Sequence, residues 1–379
     1  MHTKTAGIVT QPAIQEIMSS INLEPNQTGG ADVQPEAEDY LAPLHAAPRT
    51  AMTRMIYGFM LSQAIYVAAQ LGLADLLKDG ARSSDDLACA TSMHAPSLYR
   101  ILRTLAAVGV FEETEPNTFG LTPLGETLRT DAEGSLRPLA VCMGDQCNWQ
   151  AWGDILHSIK TGESAFEHVF GTGFFQHLER HPDNAKMFLE SMNCCASLYN
   201  EAIVAGYDFS QFRKVIDVGG GQGKLITAIL KANAGVSGAL FDTPCQTPVA
   251  QRRFEQEGIA DRCETITGDF LESVPEGGDA YLLKHIIHDW DDPQAIEILK
   301  TVRHSMSEGA RLLLIEEIIT RDSEFAPAKV LDIQQLLMPG GRERTAEEYR
   351  RLLEAAGFEL TAIIPTQSTL SIIESRKAG

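Results

Sequence analysis

A short apolar strand that ends in an acid and runs into glycines constrains this chain more than any other feature. Residues 215–218 read Val-Ile-Asp-Val, and Gly219-Gly220-Gly221-Gln222-Gly223 follows them directly. Glycines allow positive φ and let the backbone approach a ligand closely, while the helix predicted from Leu225 to Lys231 directs its free N–H groups into the same space. The pattern predicts a turn that binds a nucleotide-containing cofactor.

A second acid supports this prediction. Asp242 lies 23 residues after Gly219, at the end of a second predicted strand over residues 238–241. In a doubly wound sheet, a carboxylate at this place faces a ribose and can accept hydrogen bonds from both of its hydroxyls. The dinucleotide fingerprint requires a further glycine where this chain has Lys224, so the glycine spacing disfavours NAD.

The C-terminal half alternates apolar strands with amphipathic helices. The strands are predicted near residues 214–218, 238–241, 263–267, 280–284 and 311–315. This alternation predicts an α/β fold with a parallel sheet covered on both faces. Two last strands, at about 358–364 and 369–375, lie too close together for a crossover helix and are expected to form an antiparallel end pair.

The N-terminal half divides into three predicted segments. Residues 1–47 are rich in proline and scattered acids and are expected to form a flexible tail. Residues 48–135 begin with a helix from Met52 to Gln70 that is apolar over a broad face, followed by short helices and a strand pair in a winged-helix layout. Residues 136–200 are predicted to be a helical linker, and residues 201–379 to form the cofactor-binding domain.

Charge and composition exclude several classes of function. The formal net charge is −20 and the pI is about 4.9, so a nucleic-acid or anionic-membrane partner is disfavoured. No apolar run is long enough to span a membrane, and the N-terminus lacks a signal pattern. The seven cysteines include no C-x-x-C pair, which favours reduced thiols and a cytoplasmic protein.

Further motifs follow the glycine turn in a fixed order. They are Phe241-Asp242, Gly268-Asp269-Phe270, the segment Leu283-Lys284-His285-Ile286-Ile287-His288-Asp289-Trp290, and Gly340-Gly341-Arg342-Glu343-Arg344-Thr345. Together they resemble the S-adenosylmethionine-dependent O-methyltransferases that act on small aromatic hydroxyls in plants and in bacterial natural-product pathways. The resemblance covers roughly residues 48–376. It implies a Rossmann-like methyltransferase sheet preceded by a winged-helix-like domain that forms a homodimer instead of reading DNA.

The resemblance also implies S-adenosyl-L-methionine as the cofactor. The glycines of the turn are expected to line its methionine portion, Asp242 its ribose, and an acid and a ring its adenine, with one lysine in contact. The expected cofactor-binding residues are Gly219, Gly221, Asp242, Asp269, Phe270 and Lys284.

Methyl transfer to a hydroxyl requires alignment of the reactants and removal of a proton. A phenol has a pKa of about 10, so a base with a pKa near that of histidine suits its deprotonation during attack. His288 follows the fourth strand of the sheet, at the edge where doubly wound folds bind ligands, and by resemblance it is the general base. Glu316, at the end of the fifth strand, is expected to orient the imidazole. By resemblance Glu343 is a second catalytic glutamate, although it could instead pair with a neighbouring arginine on the surface.

His285 is a competing candidate, placed three residues earlier on a possible helical turn. The two histidines and the acids that follow could also suggest a metal site; these acids are Asp289, Asp291 and Asp292. We favour a helix start, with Asp292-Pro293 as N-cap and first helical residue of a helix over 294–307. The resembling family needs no metal, so no metal ligands are predicted.

The acceptor is expected to be a small, flat aromatic molecule. Residues 136–200 are rich in aromatic and methionine side chains, most of which suit core packing, and by family position this segment forms a wall of the acceptor pocket. Met192, Asp289 and Met338 are the candidate acceptor-binding residues.

Two alternative functions remain open at this stage. One is a transcriptional regulator that uses the winged helix, which the acidic charge and the intact glycine turn disfavour. The other keeps the cofactor and uses it for C-methylation, hydroxylation or decarboxylation, since one fold supports several reactions. His288 and Glu316 together favour transfer to oxygen.

Overall fold

The computed structural model describes residues 48–321 and 326–379, except for the side chains of residues 195–198. The predicted N-terminal tail, residues 1–47, lies outside the described residues. Within the described part of the chain, no helix combines the length and the apolar character that a membrane crossing requires.

The N-terminal part contains helices and a small antiparallel sheet with strand order β1-β3-β2. Its elements are α1 (Pro48–Leu71), α2 (Leu73–Leu77), β1 (Arg82–Ser83), α3 (Ser84–Thr91), α4 (Ala95–Ala106), β2 (Phe111–Glu115), β3 (Thr118–Leu121) and α5 (Pro123–Glu126). The short helices and the strand pair of the predicted winged-helix layout are present. Strand β1 was not predicted, because a strand of two residues is too short to show an alternating pattern. It pairs with β3, where Arg82 lies opposite Phe119. Leu73, Leu102 and Phe119 are fully buried in the core of this part.

A run of helices connects this part to the large sheet, as expected. They are α6 (Arg137–Gly144), α7 (Gln146–Gly153), α8 (Ile155–Thr161), α9 (Ala165–Phe170), α10 (Phe174–Arg180) and α11 (Pro182–Gly206). Phe166 and Phe174 form an apolar cluster with Ala151 and with Met338 from a later loop. The aromatic residues of this segment therefore serve partly as core, and the cluster ties the helices to the C-terminal part.

The C-terminal part is a seven-stranded sheet with the order β6-β5-β4-β7-β8-β10-β9. The strands are β4 (Lys214–Val218), β5 (Ser237–Asp242), β6 (Cys263–Thr267), β7 (Ala280–Lys284), β8 (Arg311–Glu317), β9 (Phe358–Pro365) and β10 (Leu370–Lys377). The first five are parallel, and β10 runs antiparallel to both β8 and β9. The predicted α/β class, the parallel sheet and its antiparallel end pair are confirmed.

The strand order reverses at β4, which lies between β5 and β7. Ligands of open α/β sheets bind at such a switch point, outside the carboxyl ends of the strands. Because β4, β5, β7 and β8 are parallel, their carboxyl ends meet at one edge. The predicted site residues at the ends of these strands are therefore brought to one place.

Helices cover both faces of the sheet and bury an apolar core on each side. They are α12 (Lys224–Ala232), α13 (Thr247–Gln256), α14 (Asp292–Ser305) and α16 (Ala346–Ala355). A further helix, α15 (Pro327–Leu337), packs against α8 and α9. The predicted start of α14 was wrong by one residue. Asp291 is the N-cap, because its side chain accepts the N–H of Gln294, and Pro293 is the second helical residue.

Candidate functional site

The glycine turn after β4 is built from left-handed backbone. Gly219 has φ 68° and Gly221 has φ 57°, conformations that L side chains rarely adopt. A Cβ on Gly219 would lie 2.5 Å from Cδ1 of Ile286, whereas a Cβ on Gly221 would meet no heavy atom within 4 Å. The turn thus needs glycine at both positions for its conformation, and at Gly221 its backbone faces open space that a ligand can approach.

The carboxylate of Asp242 lies at the rim of this turn. Its Oδ2 accepts the N–H of Gly221 at 2.7 Å, and its Oδ1 accepts the N–H of Thr243 at 2.6 Å. Burial raises the pKa of Asp242, and these two N–H donors oppose that rise because they stabilise the carboxylate. The structure therefore fixes this acid beside the turn, and its contact with a ribose stays a prediction.

Phe270, Asp269 and Lys284 surround the same edge. The Phe270 ring has an atom 3.7 Å from where a Cβ of Gly219 would stand. Asp269 is exposed and accepts the N–H of Leu271 at 2.8 Å. Lys284 ends β7 close to the buried Asp217, whose pKa burial raises to about 7 although the lysine charge lowers it.

These groups fit the parts of S-adenosylmethionine. The turn offers close approach to its backbone, Asp242 offers a carboxylate for hydroxyls, and Phe270 offers an apolar ring beside them. One side of the site therefore offers hydrogen-bond acceptors, which suit the ribose hydroxyls of a nucleoside. Another side is apolar, which suits its flat base.

His288 lies in a one-turn 3-10 helix, Ile287–Asp289, directly beyond the carboxyl end of β7. Only 9% of the residue is exposed. Its Nδ1 is 2.7 Å from Oε1 of Glu343, and Asp289 Oδ1 is 3.4 Å from Nε2. The short contact with Glu343 places the ring proton on Nδ1 when the imidazole is neutral, which leaves the Nε2 lone pair available.

The expectation that Glu316 directly orients the imidazole is corrected by this geometry. Oε2 of Glu316 is 3.7 Å from Nδ1 of His288, too far for a hydrogen bond. Its Oε1 instead accepts the N–H groups of Ile286 at 3.2 Å and Ile287 at 2.9 Å. Glu316 therefore holds the backbone that enters the His288 turn, while Glu343 holds the ring.

The three carboxyl groups around His288 govern its charge. Burial alone would lower the pKa of His288, but the negative charges of Glu316, Asp289 and Glu343 outweigh it and raise the pKa to about 10. Burial also raises the pKa of Glu316 to about 7 and that of Asp289 to about 6. In the free protein the imidazole therefore holds a proton strongly at neutral pH, and any imidazolium formed there is stabilised.

Gln335 is a site residue that the sequence analysis missed. It projects from α15 and is buried, and its Nε2 lies 3.4 Å from Nδ1 and 3.3 Å from Nε2 of His288. Because this amide nitrogen is almost equidistant from the two ring nitrogens, it lies over the face of the imidazole and not in line with either lone pair. The sequence carried no signal for it, because a glutamine inside an apolar helix matches no catalytic motif.

Arg344 was also missed as a structural residue of the site. Its guanidinium is fully buried, donates to Oδ1 of Asp292 at 2.8 Å, and donates to the carbonyls of Ile287 at 3.0 Å and Trp290 at 2.8 Å. It therefore clamps the turn that contains His288. The alternative of a surface pair between Glu343 and an arginine is wrong, since Glu343 is buried against the imidazole.

His285 does not lie on a helical turn. It has φ 53°, and its ring stacks on that of His288 with centroids 5.0 Å apart. Burial lowers the pKa of His285 well below its usual value, and the charges of Lys284 and His288 add to this. His285 is therefore a neutral packing partner of His288.

The donor atoms of His288, Glu316 and Glu343 lie within 4.8 Å of one another, which by distance alone also suits a cation. The hydrogen bonds described above use one oxygen of each glutamate to hold the imidazole or the turn. The acid–base arrangement thus accounts for the present geometry, and the absence of metal ligands from this motif stays a prediction.

The three predicted acceptor-binding residues lie in different surroundings. Asp289 adjoins His288, Met192 is exposed on α11, and Met338 is buried with Phe166 and Phe174. Met338 therefore packs against the helical wall, that is, the helices of residues 136–200 that are expected to line the acceptor pocket. Acceptor contact by any of these residues stays a prediction.

A polar ladder links α15 to this wall. Trp152 Nε1 donates to Oε1 of Gln334 at 2.6 Å, and Nε2 of Gln334 donates to Oδ1 of Asn148 at 2.7 Å. Gln334 and Gln335 are neighbours on α15, so the helix that contacts His288 is held by the helices of the wall.

Comparisons with known proteins agree with this arrangement. A family model described as the O-methyltransferase domain matches residues 149–359, and one described as the O-methyltransferase dimerisation domain matches residues 53–131. Phenazine O-methyltransferase PhzM of Lysobacter antibioticus is 43% identical over 325 residues, which are 86% of this chain and 95% of that protein.

Two solved structures show the same relationship. The crystal structure of LaPhzM has a TM-score of 0.85 and 42% identity, and the match covers 88% of this chain and all of that one. The O-methyltransferase NcsB1 from neocarzinostatin biosynthesis, in complex with S-adenosylmethionine and 2-hydroxy-5-methyl naphthoic acid, has a TM-score of 0.75 and 33% identity over 83% of this chain and 95% of that one. With a family model over more than half of its length and relatives this similar, the chain belongs to the S-adenosylmethionine-dependent O-methyltransferases that carry an N-terminal dimerisation domain.

Proposed function

We propose that this enzyme methylates a hydroxyl of a small aromatic acceptor, with His288 as the general base. The observation that carries the proposal is the buried contact of 2.7 Å between Nδ1 of His288 and Glu343, at the carboxyl edge of the sheet. The printed names of its relatives support the acceptor class, since one is a phenazine O-methyltransferase and another is in complex with a naphthoic acid.

The cofactor supplies, when bound, a methyl group on a sulfonium that leaves as a neutral thioether. The residues proposed to hold it are Gly219, Gly221, Asp242, Asp269, Phe270 and Lys284. They line the edge next to the His288 turn, so the reacting hydroxyl and the methyl donor share one site.

The proton is proposed to move from the acceptor hydroxyl to Nε2 of His288 while the oxygen attacks. Glu343 accepts a hydrogen bond from the N–H at Nδ1 throughout, and this bond fixes the tautomer and the orientation of the ring. The imidazolium that results is stabilised by Glu316, Asp289 and Glu343, the same charges that raise the pKa of His288. Because only the neutral imidazole accepts a proton, turnover of an unactivated phenol should rise with pH above neutrality.

Helix α1 supports a proposed homodimer. Five apolar side chains of this helix are each between 51% and 58% exposed: Met52, Met55, Ile56, Phe59 and Met60. They lie around the start of the segment, residues 53–131, that matches a dimerisation domain. Monomeric proteins rarely expose apolar residues in such a cluster, so a second copy is the proposed cover. Cys89, Cys142, Cys147, Cys245 and Cys263 are free thiols in the described part of the chain, which supports the proposed reducing, cytoplasmic location.

The proposed reaction is tested with labelled S-adenosylmethionine and matched acceptors. Phenazine and naphthalene rings would be offered with a hydroxyl, with an amine in its place, and with hydrogen in its place. We expect label only in products of the hydroxyl compounds, on oxygen. Label on ring carbon or on nitrogen alone, or cofactor consumption without methyl transfer, would replace this proposal by one of the other reactions of the fold.

A further inference from the structure

A second cluster of ionisable side chains lies away from the methyl-transfer site, on the helical hairpin formed by α8 and α9. It contains Asp154, His157 and His168, with Glu163 in the connecting loop. The donor atoms of the first three lie within 4.8 Å of one another. No motif in the sequence singled out these residues, because they are separated by ordinary helical sequence.

The two imidazoles are arranged face to face. The rings of His157 and His168 have centroids 3.9 Å apart and planes within 8° of parallel. Nδ1 of His168 is 2.6 Å from Oδ2 of Asp154, and Nε2 of His157 is 3.7 Å from Oε2 of Glu163. Each imidazole therefore has a carboxylate next to it. All four side chains belong to one short stretch of the chain, residues 154–168.

The backbone supports this arrangement on both helices. Asp154 is the N-cap of α8, yet its side chain makes no capping hydrogen bond and contacts His168 instead. Asp154 and His157 are three residues apart, a spacing that places both side chains on one side of a helical turn. His168 lies on α9, which is capped by Ser164.

We propose that Asp154, His157 and His168 form a binding site for a divalent transition-metal ion, with Glu163 as a possible fourth ligand. Two imidazole nitrogens and one or two carboxylate oxygens are the donor set of zinc, nickel and copper sites. With neutral imidazoles the four groups have a net negative charge, which favours a cation. The His168 side chain is 55% exposed and the His157 side chain 17% exposed, so the site has one open side for entry and one ring anchored in the protein.

The present separations require only local adjustment to reach metal-ligand distances. Zinc–nitrogen bonds are about 2.0–2.1 Å long, so ligand atoms around one ion lie roughly 3–3.5 Å apart. Because the two imidazole planes are nearly parallel, one ring must also turn before both nitrogens point at the same ion. The half-exposed His168 and the exposed Glu163 are free to make these movements without disturbing the core. The ion would replace the present contact between Nδ1 of His168 and Oδ2 of Asp154.

The site has a path of direct contacts to the catalytic loop. Ser164, next to Glu163, donates from Oγ to the carbonyls of Leu337 and Met338, both at 2.9 Å. The loop after Met338 returns to the His288 turn, where the N–H of Arg342 donates to the carbonyl of His288 at 2.8 Å. A bound ion would therefore stiffen the hairpin that holds the C-terminal end of α15.

Calorimetric titration of the full-length, tag-free protein with Zn²⁺ tests the site. We expect one site per chain that is weakened by on the order of 10- to 100-fold in His168→Ala, as the loss of a ligand or of its partner usually causes. Asp154→Asn should weaken it as well while leaving the fold intact, since both residues lie at the surface. The ion should raise the melting temperature of the wild type and not that of His168→Ala.

A second pair of stacked histidines provides the matched control. His177 and His181 have ring centroids 4.0 Å apart, and neither forms an ion pair with a carboxylate among the described residues. His181→Ala should therefore bind Zn²⁺ like the wild type. Equal affinity in the wild type and His168→Ala, or no binding by the wild type, overturns the proposal. Loss of binding in His288→Gln with full binding in His168→Ala overturns it too, because the ion would then lie in the catalytic cluster.

Discussion

At the scale of single residues, the site works through the surroundings of one imidazole. Three carboxyl groups and one amide contact or face His288, and each affects a different property of the ring. Glu343 orients it, Glu316 holds the backbone beneath it, and Asp289 faces Nε2. The ring is therefore strongly basic as well as fixed.

His288→Gln is expected to lower turnover of an unactivated phenol by on the order of 100- to 10,000-fold, because it removes the proton acceptor. Binding of S-adenosylmethionine, measured by calorimetry, should change little, since the glycine turn and Asp242 are intact. The loss should shrink at high pH, where the phenol ionises unaided. The control His285→Gln should mainly lower thermal stability. Near wild-type turnover of His288→Gln at neutral pH would rule out the acid–base mechanism.

Gln335→Met is expected to raise the pKa of His288. The amide NH₂ group lies over the ring and presents the positive end of its dipole to it, which disfavours the imidazolium, and an interaction worth about 0.5–1.5 kcal/mol corresponds to roughly half to one pKa unit. Methionine has a similar length and donates nothing. The acid limb of the pH profile of kcat/KM should move upward by that amount, and titration of the ring nitrogens by NMR should show the same shift.

The control for this prediction is Gln334→Met, on the same helix. It breaks the ladder to Trp152 and Asn148 but has no contact with the imidazole. We expect a changed KM for the acceptor with an unmoved pH profile. If both variants move the profile equally, the effect comes from the position of α15 and not from the amide of Gln335.

At the scale of elements, the 3-10 turn Ile287–Asp289 depends on partners from elsewhere in the chain. Arg344 donates to the carbonyl of Ile287 in the turn and to that of Trp290 directly after it, and the N–H of Arg342 donates to the carbonyl of His288. A Cβ on Gly341 would collide with the carbonyl of His288, so this loop must pass close to the turn. The geometry of the base is thus a property of two segments packed together.

Arg344→Met should lower both stability and turnover. It leaves the carbonyls of Ile287 and Trp290 without their donor and Asp292 with only its longer contact of 3.8 Å to Arg342, and breaking a buried ionic contact costs up to about 3–5 kcal/mol. Asp292 is half-exposed, so we expect a smaller loss of unfolding free energy than that. Chemical denaturation measures the stability, and KM and kcat show whether turnover falls at saturating acceptor.

Arg342→Met is the matched control, since Arg342 forms only partly exposed ion pairs, with Glu348 at 2.8 Å and with Asp292 at 3.8 Å, and its side chain does not bond the carbonyls of the turn. Such pairs contribute about 0–1 kcal/mol, so its unfolding should be nearly unchanged. Equal destabilisation by the two variants would mean that the buried clamp has no special part in holding the turn.

At the scale of the whole molecule, the exposed apolar face of α1 is the main feature that a single chain leaves uncovered. The helix is 24 residues long, and only Ala64, Ala68 and Ala69 are buried in it. The large sheet, by contrast, is covered on both faces by its own helices. This difference between the two parts supports the proposed homodimer through α1.

The double variant Ile56→Asp, Phe59→Asp should convert a dimer to a monomer near 41.4 kDa, because it places two charges in the proposed apolar interface. Light scattering at micromolar concentration gives the mass. Leu156→Asp, at an equally exposed leucine on α8, should leave the mass of the dimer unchanged. A wild-type protein that is monomeric under these conditions contradicts the proposed interface.

The sequence by itself determined the class of fold and the family, and it gave the position of the proposed base. These follow from contiguous patterns: apolar runs that end at a glycine turn, an acid at the end of the next strand, and a histidine just after the fourth strand. Each pattern is read within a few residues, and the topology of a parallel sheet then brings the strand ends together.

Only the tertiary structure decided which groups act on that base. Glu343 lies 55 residues from His288 along the chain, and Gln335 lies 47 residues from it, so no local pattern could rank them against Glu316. The left-handed backbone of His285, the clamp of Arg344 and the stacked histidines of α8 and α9 likewise depend on how loops and helices pack. Periodicity reports which face of an element is buried, but the distance between two side chains on different elements is set by the packing of the whole chain.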